Sequence, residues 1–116
     1  MKARIYHNPR CSKSRAALAL LEARGVEPQI VQYLREPPSA GTLRQLLHKL
    51  DVPARDIVRT GEDEFKQLSF DLDGASDEEI VGFLAEHPRL LQRPIVELGD
   101  AARVGRPPER VLELFE

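Results

Sequence analysis

Ala3-Arg-Ile-Tyr-His-Asn-Pro-Arg-Cys-Ser-Lys-Ser-Arg15 is the stretch that decides how this chain reads. Ala3 to His7 predict a first strand, and Asn8-Pro9 ends it because that dipeptide favours a turn. From Ser12 the pattern turns helical, with Ala17, Leu18 and Leu21 on one face and Gly25 as a C-terminal stop. A cysteine, Cys11, therefore sits where a strand hands over to a helix. Pro28-Gln-Ile-Val-Gln-Tyr-Leu34 is β-branched and aromatic and predicts a second strand. A strand, helix and strand in this order predict a parallel pair.

The rest of the chain separates into a helical middle and a terminal hairpin. Ser39 is placed to cap a helix carrying Leu43, Leu46, Leu47 and Leu50 at helical spacing. A short helix is predicted over Glu62 to Leu68, and another from Ser76, where Ser76 and Glu79 form a capping-box pattern ahead of Ile80, Phe83 and Leu84. His87-Pro88 ends it. Pro94-Ile-Val-Glu-Leu98 and Ala101-Ala-Arg-Val104 read as two strands joined by the turn Gly99-Asp100. Pro107 and Pro108 then open a last helix through Leu114. The order β-α-β, helices, β-β-α predicts an α/β fold, a thioredoxin-like mixed sheet with flanking helices. We expect one such domain over residues 1–116, with a helical insertion at about 39–90.

Composition narrows the function. Seventeen Lys and Arg against nineteen Asp and Glu give a formal net charge of -2, which argues against a general nucleic-acid binder. The longest apolar run, Ala16 to Leu21, is far short of the roughly 20 residues needed to span a bilayer. The first residues lack a signal-peptide core. These features lead us to expect a soluble cytoplasmic protein with no membrane partner. One cysteine allows neither an intramolecular disulfide nor a Cys-rich zinc site. The spacing of His7, His48 and His87 suggests no metal site; His48 reads as solvated and His87 as fixing a turn.

Cys11 carries the chemistry. A helix N-terminus presents free N–H groups and a partial positive charge, and Arg10, Lys13 and Arg15 add to it, so the thiolate is favoured over the thiol. Such a cysteine is a nucleophile near neutral pH. Arg59, Arg93 and Arg106 each sit at a junction between loop and regular structure, where binding residues are commonly displayed. Several guanidinium groups together clamp a tetrahedral oxyanion, although on spacing alone each of the three also reads as surface charge.

Taken together, His7-Asn-Pro-Arg-Cys-Ser-Lys-Ser-Arg15, Tyr33-Leu-Arg-Glu-Pro-Pro38, Arg59, His87-Pro88, Arg93-Pro-Ile-Val96 and Arg106-Pro107 resemble the glutaredoxin-linked arsenate reductase family over nearly the whole chain. The resemblance implies a role in arsenic detoxification, with Cys11 as the thiolate that attacks arsenate and Arg59, Arg93 and Arg106 as the oxyanion ligands. It implies that His7 and Ser14 support the cysteine, and that the Arg93-Pro94 bond is cis. It implies no bound cofactor, glutathione as co-substrate and glutaredoxin as protein partner.

Two other readings share this sequence. A glutathione-dependent thiol oxidoreductase on another substrate would use Cys11 without needing all three arginines. A Spx-type regulator that binds RNA polymerase would share the fold, but such regulators typically carry Cys-x-x-Cys, and Ser14 stands at the second position here.

Overall fold

The computed structural model describes residues 2–116. They form two compact units, one of residues 2–36 and 93–116, the other Pro37–Gln92.

The first unit is built on a four-stranded sheet. Its strands are β1 (Ala3–Tyr6), β2 (Gln29–Val31), β3 (Ile95–Leu98) and β4 (Ala101–Val104), in the order β2-β1-β3-β4. β1 runs parallel to β2 and antiparallel to β3, and β3 pairs antiparallel with β4. This is the mixed sheet predicted from the sequence. Ile5 and Val96 face each other in register and share a buried cluster with Ala17, Leu21 and Val111. Helix α1 (Ser12–Ala23) supplies Ala17 and Leu21, which are one turn apart and so fall on one face. α1 stops as expected at Gly25, whose φ of 78° closes the helix with Gly25 N–H to Glu22 O and Val26 N–H to Leu21 O, both 2.9 Å.

Two elements differ from their predicted form. β2 covers only Gln29–Val31, because the Gln32 carbonyl accepts the N–H groups of both Arg35 and Glu36 at 2.9 Å and turns the chain. Tyr33 is fully buried in that turn rather than in a strand. The terminal segment is a 3₁₀ helix, Pro108–Phe115, where an α-helix was expected. Val111 and Leu114 are three apart, a spacing that serves one face of either helix.

The second unit is helical. α2 (Ala40–Leu50) is capped by Ser39 and buries Leu43, Leu46, Leu47 and Leu50. α3 (Asp63–Leu68) buries no side chain. α4 (Asp77–Glu86) begins in the capping box of Ser76 and Glu79 and buries Ile80, Val81 and Leu84. Ile57, Val58, Leu90 and Leu91 are also buried, and an antiparallel bridge joins Val58 to Leu91. His48 is exposed as expected, and His87 ends α4 with its Nδ1 3.3 Å from Glu64. No helix among the described residues is long and apolar enough to cross a membrane.

Candidate active site

Strand pairing alone brings the main groups together. Tyr6 is the last residue of β1 and pairs with Ile95, the first of β3, while Ile95 pairs with Val104, the last of β4. The residues that follow β1, precede β3 and follow β4 therefore emerge at one end of the sheet. These are the His7–Cys11 loop, Arg93-Pro94 and Gly105-Arg106. The ladder continues one step past β3 and β4, with Gly105 N–H donating to Pro94 O at 2.8 Å. One step further, Arg106 Nε donates to Arg93 O at 2.8 Å. Both the Arg93-Pro94 and Arg106-Pro107 bonds are cis. The second of these was not anticipated, since an X-Pro pair at a helix start is ordinarily trans.

Cys11 is the N-cap of α1 and is partly exposed. Arg106 Nη2 lies 3.7 Å from its Sγ. Burial is the largest influence and pushes the thiol up, but it is outweighed. The Ser14 N–H, the Arg93 guanidinium and the Lys13 N–H together hold the pKa below the ordinary thiol value. The lowered pKa is thus a joint product of the helix N-terminus and of Arg93.

Beneath the sulfur lies a buried polar network. Ser14 Oγ is 2.7 Å from His7 Nδ1 and accepts the Asn8 N–H at 3.1 Å. Burial first, and the Arg15 charge second, lower the His7 pKa, so the ring is neutral at physiological pH. We assign the Ser14 O–H as donor to Nδ1, which leaves the proton of the neutral ring on Nε2. His7 thereby anchors the residue whose amide acts on Cys11. The sequence reading took Asn8 as half of a turn and gave it no role at the site. Its carbonyl accepts the Cys11 N–H and its Oδ1 accepts the Arg10 N–H, both at 3.0 Å, which fixes the turn that presents the cysteine. The Asn8-Pro9 turn signal was read, but not the habit of an Asn side chain of bonding the backbone two residues on.

The first unit thus gathers Cys11, His7, Ser14, Arg93, Pro94 and Arg106. Arg59 belongs to the second unit, where its side chain is held by Glu62 and Gln92. Neither of those partners was singled out from the sequence.

The fold is a thioredoxin-like sheet carrying one cysteine of lowered pKa with guanidinium groups beside it. Comparison with known proteins places it further. The sequence signature of the ArsC family matches residues 6–114. The chain is 48% identical over 112 residues to Escherichia coli YfgD, named as an uncharacterized protein, covering 96% of this chain and 94% of that one. It is 45% identical over 112 residues to the arsenate reductase of Haemophilus influenzae, covering 96% and 97%. Among solved structures, the arsenate reductase from Vibrio cholerae superposes with a TM-score of 0.92 at 46% identity over 97% of each chain. The chain belongs to the ArsC family.

Proposed function

We propose that the protein reduces arsenate to arsenite through Cys11, with glutathione as co-substrate and glutaredoxin as the protein that regenerates it. The observation that carries this reading is the convergence of Arg93 and Arg106 on a sulfur whose pKa is lowered. A nucleophilic sulfur and an anion-binding site at one point suit attack on an oxyanion. The arsenate reductases among its relatives support the same reading.

In the proposed sequence the Cys11 thiolate bonds to arsenic and one arsenate oxygen leaves, protonated, as water. Glutathione supplies the second thiol, because the chain has one cysteine. The two sulfurs end as a Cys11–glutathione disulfide, giving up the two electrons that take arsenic from the +5 to the +3 state. Overall, Cys11 thiol, glutathione and arsenic acid yield the mixed disulfide, arsenous acid and water. Glutaredoxin with further glutathione then restores the thiol. Arg93, Arg106 and, by the resemblance, Arg59 hold the oxyanion; His7, Ser14 and Pro94 keep the cysteine and arginines in place. The proposed chemistry needs a reduced thiol pool, as the cytoplasm maintains, and is read as cytoplasmic for that reason.

The test is arsenate-dependent NADPH oxidation in the presence of glutathione, glutaredoxin and glutathione reductase. The parent protein should give turnover above the arsenate-free control and Cys11→Ser none. Equal rates with and without arsenate would remove the proposal.

A further inference from the structure

Arg59 extends from a short two-stranded brace. Its N–H donates to Leu90 O at 2.7 Å and the Gln92 N–H donates to Ile57 O at 2.8 Å, on either side of the Val58–Leu91 bridge. Ile57, Val58, Leu90 and Leu91 are buried, so the backbone beneath Arg59 is fixed by core packing. The side chain is then held on two sides. Glu62 Oε1 accepts from Nε at 3.0 Å and lies 3.0 Å from Nη2, and Gln92 Oε1 accepts from Nη1 at 3.0 Å. Glu62 is the N-cap of α3, the position from which a side chain ordinarily caps its own helix, and its carboxylate makes no such bond. It is turned to Arg59 instead.

Of the five N–H groups of a guanidinium, these hydrogen bonds engage two, and N–H groups on both terminal nitrogens remain. A fork fixed in this way offers its remaining donors in a set orientation and loses little further freedom when an anion arrives. We propose that Glu62 and Gln92 are positioning residues for Arg59, presetting its guanidinium as an oxyanion donor. The proposal rests on the reading that Arg59 binds the arsenate oxyanion. Carboxylate and carboxamide act here as acceptors, and the carboxylate stays on the guanidinium when the substrate binds.

The experiment is a double-mutant cycle on the steady-state kinetics of arsenate reduction, using Arg59→Ala, Glu62→Ala and both together, with Glu62→Gln and Gln92→Ala beside them. Glu62→Ala should raise KM for arsenate about three- to tenfold with kcat little changed, as expected when one mobile side chain must be ordered on binding. Glu62→Gln, which keeps an acceptor, should recover most of that loss. In the Arg59→Ala background, Glu62→Ala should have no further effect on KM. Gln92→Ala should raise KM in the same direction as Glu62→Ala.

Three outcomes overturn the proposal, and they are distinguishable. If Arg59→Ala leaves KM unchanged, the oxyanion role of Arg59 fails and positioning fails with it. If Arg59→Ala raises KM but Glu62→Ala does not, only positioning fails. If Glu62→Ala and Glu62→Gln both lower KM, the carboxylate competes with the substrate for Arg59.

Discussion

Nη2 of Arg106 lies 3.7 Å from the Sγ of Cys11 while Nε of the same side chain is tied to the Arg93 carbonyl at 2.8 Å. One guanidinium thus joins the nucleophile to the backbone of the second arginine. A charged hydrogen-bonded contact is worth roughly 1.5–3 kcal/mol. Arg93→Ala, Arg106→Ala or Arg59→Ala should each lower kcat/KM for arsenate by at least about tenfold. Lysine at these positions should rescue only partly, because an ammonium lacks the planar fork. Arg24→Ala and Arg110→Ala, at exposed positions, should change little. Steady-state kinetics on the set checks all of these.

Cys11 alkylation should follow the thiolate fraction. The rate of iodoacetamide labelling against pH should show a midpoint below the free-thiol value of about 8.5. Arg93→Ala should move that midpoint up, since it removes one of the groups that offset burial of the sulfur. A parent midpoint at or above the free-thiol value would contradict the site chemistry.

The two arginines beside Cys11 were legible because Arg-Pro stands at both open ends of a strong hairpin signal, and antiparallel pairing does the rest. The capping box at Ser76 and the leucine spacing of α2 were equally local. What the sequence did not show depends on tertiary contacts or on degenerate periodicity. Tyr33 looks like a strand residue, yet the end of β2 is decided by two backbone bonds to Gln32. Val111 and Leu114 fit an α-helix and a 3₁₀ helix equally well. Glu62 and Gln92 are ordinary polar residues whose meaning comes from a side chain 33 residues distant from Gln92.

His7 gives stability a pH dependence. Its pKa is lowered by folding, so between its folded value and about 6.5 the unfolded chain binds more protons than the native one. Stability therefore rises with pH through that window, and the His7 contribution is lost as pH falls through it and constant below it. His7→Asn, which keeps an acceptor near the Nδ1 position, should flatten this dependence. Urea unfolding of parent and variant from pH 5 to pH 8 measures the difference, which should grow toward the acid side.

Two glycines should respond oppositely to alanine. At Gly82, inside α4, an added Cβ meets nothing within 4 Å, so Gly82→Ala should stabilise by about 1 kcal/mol. At Gly105 it would lie 2.7 Å from Pro94 Cγ and 3.1 Å from Val111 Cγ1. Gly105→Ala should destabilise by about 1–3 kcal/mol and, by displacing the residue after Arg93, depress arsenate turnover as well. Denaturant melts of both variants, with kinetics for the second, test the pair.

The most direct measurement omits glutaredoxin and weighs the protein itself. Incubated with glutathione and arsenate, the intact chain should gain the mass of one glutathionyl group, located on Cys11 and reversed by glutaredoxin. Arsenate should be required for the gain, one arsenite should be released per chain modified, and Cys11→Ser should gain nothing. A chain that stays unmodified with arsenate present, or is modified equally without it, would contradict arsenate reduction through Cys11.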